Sequence, residues 1–433
     1  MSAFSMNVKR WSAMALFPLV MVACNDDDDN MQGLGTTATL TVENVLQGKL
    51  LVESGTFMGN GSGAPVILPG ETVSFTVSAG KGQRLSFAAM YGLSNDLFFA
   101  PENPGIALYT DAGEAIEGDV SASVKLWDNG TRVNQKPGAA VVHPGTAENK
   151  MIREVTNMDD QGNSYEAASK LLKVTLAYQG NSVFKVTLNN SSKGTINETG
   201  ISPGVWSVSY IAGGDLLNKT PLYETGKAST EGLTLIAESG DNSKLSEATK
   251  ANTGIFTPLS PILVAVYEGD ANPFFKVGEN DRGEGLAKLA QTGNADDLAA
   301  SLKKKSGVKN VYVLPDPANT VLLPSVGGAA GGKVQQLLTL SKGQHVAIAT
   351  MYGFSNDWFF AGNVDGSQRG DISGSLHLYD NGTALDEFPG AGISQVNLGG
   401  KIVPVSKPIS EVPNPNAFTT LPELSSIIKV TLN

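Results

Sequence analysis

Eleven residues, MYGLSNDLFFA at 90–100, return as MYGFSNDWFFA at 351–361 with nine of the eleven positions unchanged. Each copy is followed by a second echo, LWDNGT at 126–131 and LYDNGT at 378–383. Patches this long, repeated in the same order, mean that the chain carries one module twice. The fold must be a unit small enough to fit twice into 433 residues, with its shared chemistry in these motifs.

The segments around the echoes read as strands. TATLTVENV (37–45) and KLLKVTL (170–176) alternate apolar and polar residues, the period of a half-buried strand. ETVSFTVSAGKGQRLSFAAM (71–90) reads as two strands around a glycine-containing turn, and KVQQLLTLSKGQHVAIATM (333–351) aligns with it. With 49 glycines and 21 prolines, the chain suits a turn-rich all-β architecture better than helical bundles. The sequence thus predicts a first antiparallel β-sandwich over 37–178. A second is predicted over 181–433, opening at FKVTLNN (184–190) and closing at IIKVTLN (427–433), with the outermost strands of the chain pairing within sheets.

The second module carries an insertion, about 199–304, that is itself duplicated. PLYETGKASTEGLTLIAESGDNSKL (221–245) parallels PFFKVGENDRGEGLAKLAQTGNADDL (273–298). A Ser-Pro turn and strand precede each, SPGVWSVSY (202–210) and SPILVAVYE (260–268). Leu286, Leu289 and Ala290 fall at i, i+3 and i+4, so a short helix buries them, and Asn294 is placed to cap the next one. One copy is expected to belong to the standard module and the other to be extra.

The first residues read as a targeting segment. Lys9 and Arg10 precede the apolar run Trp11–Val22, which is too short to span a bilayer at roughly 20 residues. The run ends in Met-Val-Ala-Cys, resembling a bacterial lipobox, so residues 1–23 are expected to be a signal peptide. Cys24, the only cysteine, is the expected lipid-acceptor thiol, and an acidic tether follows over 24–36 with Asp26–Asp29. Processing would remove two bases from a chain of net charge −11, giving −13. Such acidity disfavours nucleic acid and anionic lipid surfaces and is compatible with divalent cations.

MYG-x-SND-x-FFA, L-(W/Y)-DNGT, and the Pro137-Gly138 and Pro389-Gly390 turns together resemble the spondin amino-terminal domain (spondin-N), whose bacterial members also share the EGL helix and closing KVTL strand. The resemblance covers most of 37–433. It implies an antiparallel β-sandwich similar to calcium-dependent lipid-binding domains, with a Ca2+ site at one end. The family's first two ligand positions fall on Asp96 and Asp128 in one module and on Asp357 and Asp380 in the other. Its third falls on Arg132 and Ala384, which supply no carboxylate. Because calcium takes about six to eight oxygens, Glu102, Asn134, Asp365, Asp386 and Glu387 stand as unranked further donors.

A purely structural account of the same residues stays open. Asp-Asn-Gly-Thr is a hairpin signal suited to a type I′ turn, and its aspartate can bond the turn locally, as Asp96 can. Phe98, Phe99, Trp358, Phe359 and Phe360 read as core rather than ligand-stacking residues.

Other chemistry is rejected. Gly200–Gly204 matches G-x-S-x-G, but Pro203 lacks the N–H an oxyanion hole needs after the serine, so the segment is read as a turn. Gly327–Lys333 lacks the Ser/Thr and following helix of a phosphate loop. His143, His345 and His377 lie in separate segments without a metal spacing. The sequence therefore favours a non-enzymatic, lipid-anchored protein of the bacterial outer membrane, facing the cell surface or the periplasm. Its two calcium-supported modules would bind or adhere to an extracellular or envelope protein or glycan. An envelope hydrolase acting on glycans or esters, with its site in the duplicated insertion, and a purely structural envelope protein are the alternatives.

Overall fold

The structure, a computed structural model, describes residues 35–60, 65–315 and 321–433. The expected leader, Cys24 and the tether up to residue 34 lie outside the described residues. In chain order come β1 (Thr36–Asn44), β2 (Leu51–Phe57), β3 (Thr72–Ser78), β4 (Arg84–Tyr91), β5 (Leu97–Pro101) and β6 (Val124–Asp128). There follow β7 (Arg153–Glu154), β8 (Leu172–Gly180), β9 (Val183–Asn190), β10 (Ile201–Ser209) and helices α1 (Glu231–Ser239) and α2 (Ser243–Ala251). The remainder holds β11 (Ile262–Glu268), α3 (Leu286–Thr292), α4 (Asp296–Leu302), β12 (Val308–Leu314), β13 (Lys333–Leu340) and β14 (Gln344–Met351). It ends with β15 (Trp358–Asp365), β16 (Leu376–Asp380), β17 (Ser410–Glu411) and β18 (Ile428–Leu432).

These strands form two antiparallel β-sandwiches, as the sequence predicts. The first stacks a β3-β9-β8 sheet, edged by Gly118–Asp119, on a β2-β10-β4-β5-β6-β7 sheet. The second stacks β13-β1-β18, edged by Gly370–Asp371, on β12-β11-β14-β15-β16-β17.

The pairing corrects the expected domain boundaries. β1 does not join the sheets of the first module; it lies between β13 and β18 in the second. Conversely, β9 and β10, expected in the second module, pair with β8 and β3 and with β2 and β4 in the first. The first module thus runs from β2 to α2 and is nested inside the second, between β1 and β11. The chain crosses between modules twice, over 45–50 and 252–261. The crossings are bonded side by side: Lys49 N donates to Ile255 O (2.9 Å) and Gly254 N to Leu51 O (3.0 Å). The expectation that the outermost strands pair within sheets holds, β1 with β18.

The physical reason lies in one turn. β8 and β9 are joined through Asn181 and Ser182, both at positive φ (51° and 63°). Two positive-φ residues match the right-handed twist of a two-residue hairpin, so β9 folds back on β8 and cannot open the next module. The DNGT segments are not such hairpins: Gly130 and Gly382 have positive φ, whereas Asn129 and Asn381 do not. The 71–90 segment is not a hairpin either, since its two strands, β3 and β4, belong to opposite sheets of the sandwich.

The insertion is also corrected: neither copy is extra. β10, α1 and α2 serve the first module, whereas β11, α3 and α4 serve the second. Each helix pair covers the outer face of its module's larger sheet, which is therefore buried on both sides. Along β4, Leu85, Phe87, Ala89 and Tyr91 enter the sandwich core, while Ala88 and Met90 lie under α1 with Leu233 and Ile236. This is period-2 alternation with two apolar faces. Phe99 and Phe360 fill the two sandwich cores, and Phe98 and Phe359 lie beneath the helices. Trp358 is in the core, as are Leu286, Leu289 and Ala290. Asn294 stands one residue before the α4 N-cap, Ala295, and accepts from Asp296 N.

The modules pack against each other. The 387–393 loop of the second meets the first: Gln83 Nε2 donates to Gly390 O (2.6 Å), and Ser182 Oγ to Glu387 Oε1 (2.6 Å). Among the described residues no helix is long and apolar enough to cross a membrane.

Candidate metal centre

Each sandwich brings its two predicted aspartates to one end of the larger sheet. In the second module Asp357 precedes β15 and Asp380 ends β16, opposite Trp358 in the ladder. In the first, Asp96 precedes β5 and Asp128 ends β6, opposite Leu97. All four are fully buried apart from a partly open Asp380.

In both modules one oxygen of each aspartate fixes the turn. Asp357 Oδ2 accepts from Thr383 N (2.6 Å), Thr383 Oγ1 (2.9 Å) and Ala384 N (2.9 Å). Asp96 Oδ2 accepts likewise from Thr131 N, Thr131 Oγ1 and Arg132 N, at 2.8, 3.1 and 2.8 Å. Asp380 Oδ1 accepts from Gly382 N (2.7 Å) and Asp128 Oδ1 from Gly130 N (2.8 Å). Those glycines pass close to the next loop: a Cβ on Gly382 would lie 2.3 Å from Lys407 O, and one on Gly130 2.6 Å from Lys150 O. A local turn bond is therefore made by one oxygen of Asp128 and of Asp380, whereas Asp96 and Asp357 bond across to the neighbouring DNGT turn and not to their own.

The free oxygen of the first aspartate and that of the following asparagine are alike in the two modules; the modules differ at the second aspartate and at the position six residues beyond it. In the second module, Asp357, Asp380 and Asp386 bring ligand atoms within 4.8 Å of one another. Asp357 Oδ1 is buried and has no hydrogen-bond partner, and Asn381 Oδ1 is a second such oxygen. Asp386 Oδ1 accepts from Trp358 Nε1 (2.8 Å). Burial, then the neighbouring Asp380 charge, push the Asp357 carboxyl up to about 7 against the Thr383 hydrogen bonds. Burial and Asp380 likewise push Asp386 up to about 6, opposed by the Trp358 bond and by Lys407. Three crowded carboxylates with an unpartnered buried oxygen fit a hard divalent cation, which takes oxygen donors and offsets their repulsion.

The first module does not fit in the same way. Asp128 Oδ2 accepts from Arg153 Nη2 (2.6 Å) and Asn134 Nδ2 (2.7 Å). Arg153 also reaches Asp160 Oδ2 (2.8 Å), and Lys150 pairs with Asp160 and Glu148. Asp96 Oδ1 and Asn129 Oδ1 are buried without a partner, as Asp357 Oδ1 and Asn381 Oδ1 are, and burial with the nearby Asp128 raises the Asp96 carboxyl to about 7.

The third position implied by the resemblance supplies no carboxylate. Arg132 turns away to Glu238 of α1 (2.8 Å), and Ala384 contributes its backbone N–H. The third acid is Asp386, two residues further on, and its counterpart in the first module is Asn134. Of the other candidate donors, Glu387 is engaged by Ser182, Asn356 and Ser394, Asp365 bonds Ser367 on the surface, and Glu102 lies by Tyr223. Arg153, Asp160 and Ser410 escape a motif-based reading of the sequence because no local motif contains them.

Ser202 of the G-x-S-x-G match lies in β10, not in a turn: its Oγ accepts from Met90 N (2.8 Å) and donates to Pro203 O (2.7 Å). The helical part of the first module borders a cleft of about 740 Å³ between α1, α2 and the 218–228 loop. Its acids Glu224, Glu231 and Glu247 are exposed, and Glu231 is paired with Lys244. No protein-family model matches the chain, and no curated protein shows significant sequence similarity to it.

Proposed function

We propose that this is an exported, lipid-anchored bacterial envelope protein of spondin-N type that binds or adheres to an extracellular or envelope partner. In this reading, a divalent cation of the calcium class supports the loop end of its second sandwich at Asp357, Asp380 and Asp386. The observation that carries the metal assignment is the buried, unpartnered Asp357 Oδ1 beside two further carboxylates within 4.8 Å. The lipobox-like Met-Val-Ala-Cys24, the acidic tether and the duplicated binding-type module support the envelope setting. Two modules on one chain add avidity when both engage one partner surface.

The metal part is tested by calorimetric titration of calcium into the full chain, with thermal unfolding in calcium and in chelator. Fragment 37–178 is unsuitable, since it lacks β9 and β10 and carries β1, a strand of the other module. At 100 times the dissociation constant, one site adds about 2.7 kcal/mol to stability. Equal melting in calcium and chelator, with no binding heat, would remove the metal from the proposal. Surface labelling of intact cells with crosslinked pull-down tests the envelope part, and a protein recovered only from cytoplasm would overturn it.

A further inference from the structure

The two loop ends share a backbone but not a charge plan, and the difference sits at two aligned positions. In the ladder beside each site, Asp128 faces Arg153, whereas Asp380 faces Ser410. Along the following loop, Asn134 stands where the second module has Asp386. We infer that Arg153 takes the place of a cation in the first module, so that the chain binds one divalent ion, in its second module, and not two. This rests on the metal reading above and goes beyond both the resemblance and the sequence, which assign a site to each module.

The geometry supports the substitution. A guanidinium is permanently charged, planar and rich in donors, so it can bridge two carboxylates where an ion would otherwise be shared. Arg153 Nη2 does this, at 2.6 Å from Asp128 Oδ2 and 2.8 Å from Asp160 Oδ2. Asn134 Nδ2 adds a donor to the same Asp128 oxygen and contacts Asp160 Oδ1 (3.3 Å). An oxygen already accepting two strong hydrogen bonds is a poor metal ligand, and a cation entering beside it would meet a fixed positive charge. The second module has the opposite plan. Neither Ser410 nor Asp386 brings a positive charge, and Lys407, the base whose charge acts on Asp386, is exposed. The first loop end is thus assembled by its own side chains, and the second is left dependent on an ion.

The test exchanges the two plans in the full chain. Wild type is expected to bind one calcium by calorimetry. Ser410→Arg should abolish that binding, and Arg153→Ser with Asn134→Asp should raise the count to two. Arg153→Lys, which keeps the charge, should leave it at one, and circular dichroism checks that every variant is folded. Two ions in wild type, or a folded double variant that still binds one, would overturn the inference. No ion in wild type would instead overturn the metal reading, and the neutralising role would then stand or fall on melting in chelator. There Arg153→Ser should lower the melting temperature by several degrees and Ser410→Arg should raise it. No change in either would end the proposal.

Discussion

The loop ends of the two modules make a natural double experiment. Both use Asp-Asn-Gly-Thr, both spend one oxygen of each aspartate on the turn, and both leave one oxygen of the first aspartate buried without a partner. They part at Arg153 against Ser410 and Asn134 against Asp386. The same motif can therefore build the same turn while the charges around it differ. Turn construction uses one carboxylate oxygen of each aspartate; the surroundings of the second aspartate's other oxygen are set by residues outside the motif.

The strongest way to break the comparison is to delete Thr36–Asn44. Because β1 is an interior strand of the second module, its loss should unfold that module, and with it the proposed cation site, while β2 to α2 stays folded. Limited proteolysis should then leave a protected core starting near Leu51. Protection of 255–433 in place of 51–252 would refute the nested arrangement.

Next in size are the paired core truncations Phe99→Ala and Phe360→Ala. Both rings are 0% exposed, and each truncation should cost about 3–5 kcal/mol in denaturant unfolding. A large inequality would show that the modules are not equivalent scaffolds.

Acidity sharpens the contrast. With no ion bound, burial and a neighbouring carboxylate push Asp357 and Asp96 up to about 7 and Asp386 up to about 6, against an ordinary value of 3.8. The folded state therefore holds protons that the unfolded chain has released between pH 4 and 7. Their contribution is complete below pH 4, falls as pH rises through 6 and 7, and is flat above. Two shifted acids make this loss larger in the second module than in the first, read from unfolding of the wild type beside Asp357→Asn and Asp96→Asn. Calcium should reverse the trend, since its ligands must be deprotonated.

The smallest effect concerns the helices. Thr230 caps α1 by accepting from Leu233 N, whereas α3 starts at Gly285 with no side-chain cap. Thr230→Ala should cost about 1 kcal/mol, read from denaturant unfolding. Gly285→Ser should fail to gain as much, because Gly285 sits at φ 109° and a Cβ there would lie 2.4 Å from Leu298 N.

Much of the architecture is legible from residues alone. Alternation marks β1, β8, β9 and β18, the repeated helical segments mark α1 to α4, and the aspartates do converge in pairs. The Asn181-Ser182 turn also held a readable signal, since a tight turn between KVTLAY and FKVTL implies a hairpin rather than a module boundary. Arg153 was not readable: it lies 25 residues beyond Asp128 and meets it only through the β6–β7 register.

By itself the sequence determined that two like sandwiches form and that each sets a pair of aspartates on a DNGT corner, because period-2 burial and turn chemistry are local. Only the tertiary structure decided which copy of a strand enters which sheet, and which loop end carries its own positive charge. Alternation specifies the face a strand buries but not its neighbour, and a carboxylate's partner is set by what the ladder lays opposite it.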